Sequence, residues 1–154
     1  MADSGKLKVL FATSEVAPLI KTGGLADVSA ALPVALSALG VDVRVLVPGY
    51  PQVMGALRTR DRAASLPGLP GLPPATLIAS KLPSGLPLLV VECPIYDRSG
   101  GPYQNASATD WPDNDLRFGL LSYVGALLST PASPFTAWKP DIVHCNDWQT
   151  GLTP

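Results

Sequence analysis

Residues 7–49, LKVLFATSEVAPLIKTGGLADVSAALPVALSALGVDVRVLVPG, decide the fold. Leu7 to Thr13 is short, apolar and bounded by polar residues, the pattern of a strand buried on both faces in a parallel sheet. From Gly24 onward Leu25, Val28, Leu32, Ala35, Leu36 and Leu39 recur at helical spacing, which predicts a helix with an apolar stripe. Gly40 stands where a left-handed C-cap residue is wanted. Pro33 removes one hydrogen bond inside that helix, so a kink is expected there. Val41 to Val47 is a second strand, rich in β-branched residues and stopped by Pro48-Gly49. Strand, helix and strand within about forty residues imply a right-handed parallel crossover.

Outward from this unit the alternation continues. Residues 58–87 are dense in Pro and Gly, yet their Leu and Ile content predicts short strands joined by turns, with Thr76–Ser80 and Leu88–Cys93 as candidates. The repeated Gly-Leu-Pro there is local turn chemistry rather than a repeat architecture. Tyr96 to Tyr103 reads as a loop. A second long helix runs from Asp113, a candidate N-cap, to Ser129, with a stripe of Leu116, Leu120, Leu121, Val124, Leu127 and Leu128. Asp141 to Cys145 reads as a further strand, and Asn146-Asp147 opens another helix. The class is α/β with a Rossmann-like parallel sheet, in which ligands lie at the C-terminal ends of the strands.

The 154 residues are 47% apolar and 15% charged, enough to bury a core as one domain or part of one. A formal net charge of -1 and the absence of any Lys/Arg cluster argue against nucleic acid as a partner. Cys93 and Cys145 are far apart, with no second thiol at metal or redox spacing, and are expected to be reduced core residues. No metal or cofactor is implied. The apolar run near the N-terminus is too short, and interrupted by Lys8, for a signal peptide or membrane span. Residues 1–6 read as a disordered leader, and the default location is the cytoplasm.

Two constellations carry chemistry. Lys21-Thr22-Gly23-Gly24 joins the first strand to a helix, so free N–H groups and the positive end of the helix dipole converge there. The glycines permit close approach of a ligand, Lys21 adds a mobile charge, and a phosphate or sugar-nucleotide diphosphate would fit. The spacing is neither G-x-G-x-x-G nor a Walker pattern, and the same residues also make an ordinary βα turn. Asp27 in the first turn is accounted for by the dipole alone. The second constellation is His144-Cys-Asn146-Asp147-Trp148-Gln149. His144 is either a hydrogen-bonded core residue or a catalyst, Asp147 an N-cap or a reactive carboxylate, and Trp148 a core ring or a sugar-stacking platform.

Taken together, SEVAPLIKTGGLADV, ALPVALSALGVDVRVLVPGYP, YDRSGGPY, DNDLRFGLLSYVGA and WKPDIVHCNDWQTGL resemble successive blocks of bacterial glycogen synthase and plant starch synthase, from about Lys8 to the last residue. That family comprises retaining glucosyltransferases that move glucose from ADP-glucose to the non-reducing end of an α-1,4-glucan such as glycogen. Its fold, GT-B, sets two Rossmann-like domains across a cleft without an obligatory metal. The resemblance implies that Lys21, Thr22, Gly23 and Gly24 hold the donor, and that Asp147 lies near the reacting sugar as the catalytic residue. It also implies that His144, Asn146, Trp148 and Gln149 line the substrate site and that Tyr96 and the following loop flank the acceptor groove. Many family members carry a second histidine where this chain has Asn146, although an Asn-Asp-Trp form also occurs among them.

In that family the chain goes on past this point: a Val-His-Asn segment carries a catalytic histidine, and a second domain supplies the Arg, Lys and Glu that bind ADP. Residues 7–154 are therefore expected to be an incomplete N-terminal catalytic domain, without the C-terminal nucleotide-binding domain and inactive alone. A sheet ending at Val143 is expected to expose an edge. Two other readings compete: a glucan- or nucleotide-sugar-binding module that lost catalysis, and a related transferase using UDP-glucose or another acceptor.

Overall fold

The computed structural model describes residues 5–154; residues 1–4 of the expected leader lie outside the described residues, and Gly5 and Lys6 are exposed and without regular structure. Its elements in chain order are β1 (Lys8–Ala12), α1 (Gly24–Ala38), β2 (Asp42–Pro48), α2 (Pro51–Ala56), β3 (Asp61–Leu66), β4 (Ala75–Lys81), β5 (Pro87–Glu92), α3 (Asn114–Ser129) and β6 (Ile142–Cys145). Short 3-10 turns cover Pro94–Tyr96 and Trp148–Thr150. One sheet runs β3-β4-β5-β2-β1-β6.

Strands β5, β2, β1 and β6 are parallel, whereas β3 and β4 pair antiparallel onto β5, so the expected parallel sheet is a mixed one. Connection length explains the difference. The turn Leu82–Leu86 closes with Leu82 N–H donating to Leu86 C=O at 2.9 Å, with Gly85 at φ +89°, and it is too short for a crossover. Strand β3 and helix α2 were not expected. Asp61–Leu66 is exposed at half of its positions and lacks an apolar alternation, and α2 is a single short helix with Pro51 at its start.

Helix α1 continues as one element through Pro33, which lies inside it. Its buried face is one position away from the predicted stripe. Ala26, Ser29 and Pro33 are buried, while Val28 is 50% and Leu39 81% exposed. Small residues let the helix approach the sheet closely, and Thr13 and Ser29 hydroxyls meet at 2.8 Å in that interface. With Asp27 as its one charged residue, α1 offers little polarity contrast from which to read a face. Gly40 has φ +90° and ends the helix as expected.

Helix α3 buries Phe118, Leu120, Leu121, Val124 and Leu128, with Leu116 turned outward at 40% exposure. Asp113 stands at its N-cap position without capping; its carboxylate binds Arg98 instead, at 2.6 and 2.5 Å. The β1–β2 crossover moves one way along the sheet and the β5–β6 crossover the other, so right-handed connections place α1 and α3 on opposite faces. The reversal occurs at β1, where β2 and β6 flank it. A crevice outside the C-terminal ends of β1 and β6 is the position where such sheets bind ligands. Strand β6 pairs with β1 alone among the described residues, leaving the edge that was expected.

Candidate active site at the exits of β1 and β6

The chain leaves β1 through Thr13-Ser14-Glu15, all buried, and reaches α1 through the exposed segment Lys21–Gly24. An anion is already present against this turn, and it is the chain's own. The Glu15 carboxylate, 2% exposed, accepts the Thr22 backbone N–H at 2.5 Å, the Thr22 hydroxyl at 2.6 Å and the Gly23 N–H at 3.4 Å. It also accepts the hydroxyl of Tyr103 at 2.5 Å, from the loop between β5 and α3. Burial pushes this carboxyl upward, but the bonds from Thr22, Tyr103 and the two N–H groups together outweigh it and hold it below the ordinary carboxylate range. Burial, followed by the Glu15 bond, raises Tyr103 well above an ordinary phenol, and Asp147 adds to the shift.

Lys21 points to solvent and pairs with Asp27, Nζ to the two carboxylate oxygens at 2.6 and 2.7 Å. Both side chains are about half exposed, so the pair is worth no more than about 1 kcal/mol and opens readily. Neither Gly23 nor Gly24 is needed by the backbone. Gly23 is extended at φ -151°, Gly24 is helical, and a Cβ built on either meets nothing within 4 Å. The space beside them is open.

The exit of β6 is built differently. Asn146 is buried, and its side-chain amide donates to Ala12 C=O at 2.8 Å and to His144 C=O at 3.2 Å, tying the ends of β1 and β6 together. Asp147 follows at φ 61°, ψ -175°, a conformation that is essentially reserved for glycine and costs on the order of 1–3 kcal/mol. Its carboxylate accepts the Trp148 N–H at 2.7 Å, a cap confined to its own turn. Trp148 is 58% exposed and stands edge-on to Phe118 at 5.1 Å and tilted toward Tyr103 at 6.2 Å. Helix α3 supports this turn: Ser122 donates to Gln149 C=O, and Gly125 lies so close to Thr153 that a Cβ would crowd it.

The sequence-predicted residues thus divide. Lys21, Thr22, Gly23, Gly24, Asp147 and Trp148 are exposed around the two exits. Asn146 and Gln149 are buried, the latter 3% exposed with its Oε1 lacking a hydrogen-bond partner among the described residues. His144 stacks on Phe11 at 4.9 Å, the two rings nearly parallel, with Nδ1 buried and without a hydrogen-bond partner among the described residues. Tyr96 corrects the expectation of a groove residue. It is 1% exposed, packs edge-on to Tyr50 and donates its hydroxyl to Arg117 C=O at 2.6 Å, because the 3-10 turn points it into the core. Arg117 is itself buried, donating to the carbonyls of Ile95 and Pro102 and to Asn114, and burial lowers its basicity.

Glu15 was given no role from sequence, and Tyr103 only the collective one of the loop after Tyr96. The signal available was that Glu15 is the one charged residue between Lys8 and Lys21, in an otherwise apolar or neutral stretch. Among the described residues no group of three or more His, Cys, Asp or Glu is arranged to hold a metal ion, and no helix is long and apolar enough to cross a membrane.

The family model described as starch synthase catalytic domain matches residues 8–154. A glycogen synthase from Nitrosospira multiformis is 53% identical over 153 residues, covering 96% of this chain and 31% of that protein. One from Nitrosomonas eutropha is 58% identical over 153 residues, covering 96% and 30%. Among solved structures, the catalytic domain of starch synthase IV from Arabidopsis thaliana bound to ADP and acarbose aligns with a TM-score of 0.68 at 29% identity, covering 97% of this chain and 29% of that one. This chain therefore spans about 30% of the length of the curated relatives it matches.

Proposed function

This chain belongs to the starch synthase catalytic domain family, and from that premise we propose that it forms the first part of the N-terminal domain of a cytoplasmic, two-domain retaining glucosyltransferase. The complete protein would move glucose from ADP-glucose to the non-reducing end of an α-1,4-glucan. The observation that carries the reading is the pair Gly23-Gly24: two glycines that the fold does not require, beside Lys21, at the point where the sheet reverses direction. Open space at that pair suits a phosphate or sugar brought close to the backbone. Relatives named glycogen synthase, and a plant starch synthase with ADP and acarbose bound, support a sugar nucleotide and a glucan as the two ligands.

Cleaving the glucose–phosphate bond develops positive charge on the sugar and negative charge on the departing ADP. Lys21 and the N-terminal end of α1 serve the second need. A lysine–phosphate contact is worth about 1.5–3 kcal/mol, more than the exposed pair with Asp27, so a bound diphosphate draws Lys21 away from that carboxylate. Asp147 is assigned to the reacting sugar, and its unfavourable backbone is the kind of strain retained where a side chain must be aimed. The exposed ring of Trp148 offers an apolar face to a pyranose. Thr22 is assigned to the donor's seat with the rest of its turn, and His144, Asn146 and Gln149 to shaping the site from within.

The test is incorporation of labelled glucose from ADP-glucose into glycogen by the complete protein and by its Asp147→Asn variant. We expect incorporation by the first, and for the second a turnover lower by about 100-fold, the scale of a lost electrostatic contact to the transition state, with melting little changed. Preference for UDP-glucose would overturn the donor assignment. Binding to glycogen without any incorporation would support the non-catalytic glucan-binding reading, which the exposed Trp148 platform also fits.

A further inference from the structure

Every acceptor position of the Glu15 carboxylate facing the protein is used. One oxygen takes the two hydroxyls of Thr22 and Tyr103, and the other the backbone N–H groups of Thr22 and Gly23. No cation pairs with it among the described residues, so its charge is held by dipoles alone. The bond to Tyr103 spans 88 positions of sequence, and Tyr103, having donated to Glu15, accepts the Ser14 hydroxyl at 2.8 Å. The same tyrosine ring stands against Phe118 and Trp148. One buried carboxylate therefore connects the Lys21–Gly24 turn to the aromatic wall beside Asp147.

We propose that Glu15 is a positioning residue that clamps the Lys21–Gly24 turn to the Tyr103 loop, so that the diphosphate seat and the aromatic wall are held as one unit. The inference rests on the reading of Lys21–Gly24 as the donor's seat. It also narrows that seat. With the N–H groups of Thr22 and Gly23 already committed to Glu15, an incoming phosphate is left with Lys21 and the helical N–H groups from Gly24 onward. Like-charge repulsion from Glu15 keeps the phosphate off the first part of the turn.

The clamp separates two variants that a purely electrostatic role would not. Glutamine at this position keeps an oxygen toward the two N–H groups and turns its NH2 to the Thr22 and Tyr103 hydroxyls, which reverse to accept it; alanine removes all four bonds.

The experiment compares Glu15→Gln, Glu15→Ala and Tyr103→Phe in the complete protein, varying ADP-glucose and glycogen separately and following backbone hydrogen exchange. Glu15→Ala is expected to raise the KM for ADP-glucose by about 10-fold or more, and Glu15→Gln to stay within about 3-fold of the parent. Exchange at residues 21–24 and 99–104 is expected to quicken together in Glu15→Ala. Tyr103→Phe, which keeps the ring, is expected to quicken exchange at both segments to a smaller extent. Three results would overturn the proposal: Glu15→Gln as impaired as Glu15→Ala, an unchanged donor KM in Glu15→Ala, or exchange that quickens in the turn and not in the Tyr103 loop. If Glu15→Ala does not fold, parent-like exchange in Tyr103→Phe overturns it. Should the parent protein not use ADP-glucose at all, the functional reading fails, while the exchange comparison still decides whether the clamp exists.

Discussion

The turns after β1 and β6 leave neighbouring strands at the same edge of the sheet, and they are stabilised by opposite means. The first is relaxed in its backbone and braced from a distance: Gly23 is extended, and Glu15 gathers donors from Thr22, Gly23 and Tyr103. The second is strained and braced locally: Asp147 sits at φ 61° with its carboxylate on the next residue's N–H. A relaxed turn tied at several points is rigid without strain, whereas a turn strained at one residue keeps a conformation that a glycine would adopt more easily.

The largest effect that bears on this contrast is removal of the brace. Glu15→Ala leaves two hydroxyls and two N–H groups without their acceptor, and we expect a loss of about 3 kcal/mol in denaturant unfolding of the complete protein. A loss under about 1 kcal/mol would mean that water replaces the carboxylate and that the two turns are not held differently after all.

Next in size is Lys21→Ala, which should lower kcat/KM for ADP-glucose by an amount corresponding to about 1.5–3 kcal/mol while leaving the melting temperature in place, since the pair with Asp27 is exposed. Unchanged donor kinetics would remove Lys21 from the seat.

The strained turn should respond in the other direction. Asp147→Gly relieves the backbone and loses the local cap, for a net gain of about 1 kcal/mol in stability together with a loss of turnover. A destabilised variant would show that the cap outweighs the strain and that the conformation needs no functional explanation.

The smallest expected effect concerns the loop that carries Tyr103. The Arg98 bond, reinforced by its charge, holds Asp113 below the ordinary carboxylate range, and the partly exposed pair contributes no more than about 1 kcal/mol. A lowered carboxyl gives stability that is present above its unfolded value and lost as pH falls through its folded one. The difference in melting temperature between the parent and Arg98→Gln should therefore be full at neutral pH and fall away on acidification through the lowered folded value of Asp113, below the ordinary aspartate range. Glu15, also lowered, acts in the same direction, so the parent should lose stability over the same acid range. A difference that persisted at low pH would assign Arg98 to packing on Trp111 rather than to the ion pair.

Much of this was legible from the chain. The β1–α1–β2 unit, the α3 and β6 elements and the Gly40 cap follow from runs of apolar residues and from glycine placement, which are local properties. That Lys21, Gly23, Gly24, Asp147 and Trp148 are exposed around the exits of β1 and β6 was legible too, because each belongs to a polar or glycine-rich segment that follows an apolar strand. Strand β3 was not legible, because it is an exposed edge with little apolar contrast, and the buried face of α1 was not, because almost every position on that helix is uncharged.

The sequence by itself determined the α/β class, the β1–α1–β2 unit, the α3 and β6 elements and where the two turns fall, since these depend on residue type and spacing along the chain. Only the tertiary structure decided what each polar side chain is bonded to. Tyr96 went to the core, Asn146 to the strand ends and Asp113 to Arg98 rather than to its helix, each because a partner distant in sequence was nearer in space. The pairing of Glu15 with Tyr103 is of that kind: a buried carboxylate must find donors, and which donors lie within 3 Å of it is settled by the packing of loops, not by the order of residues.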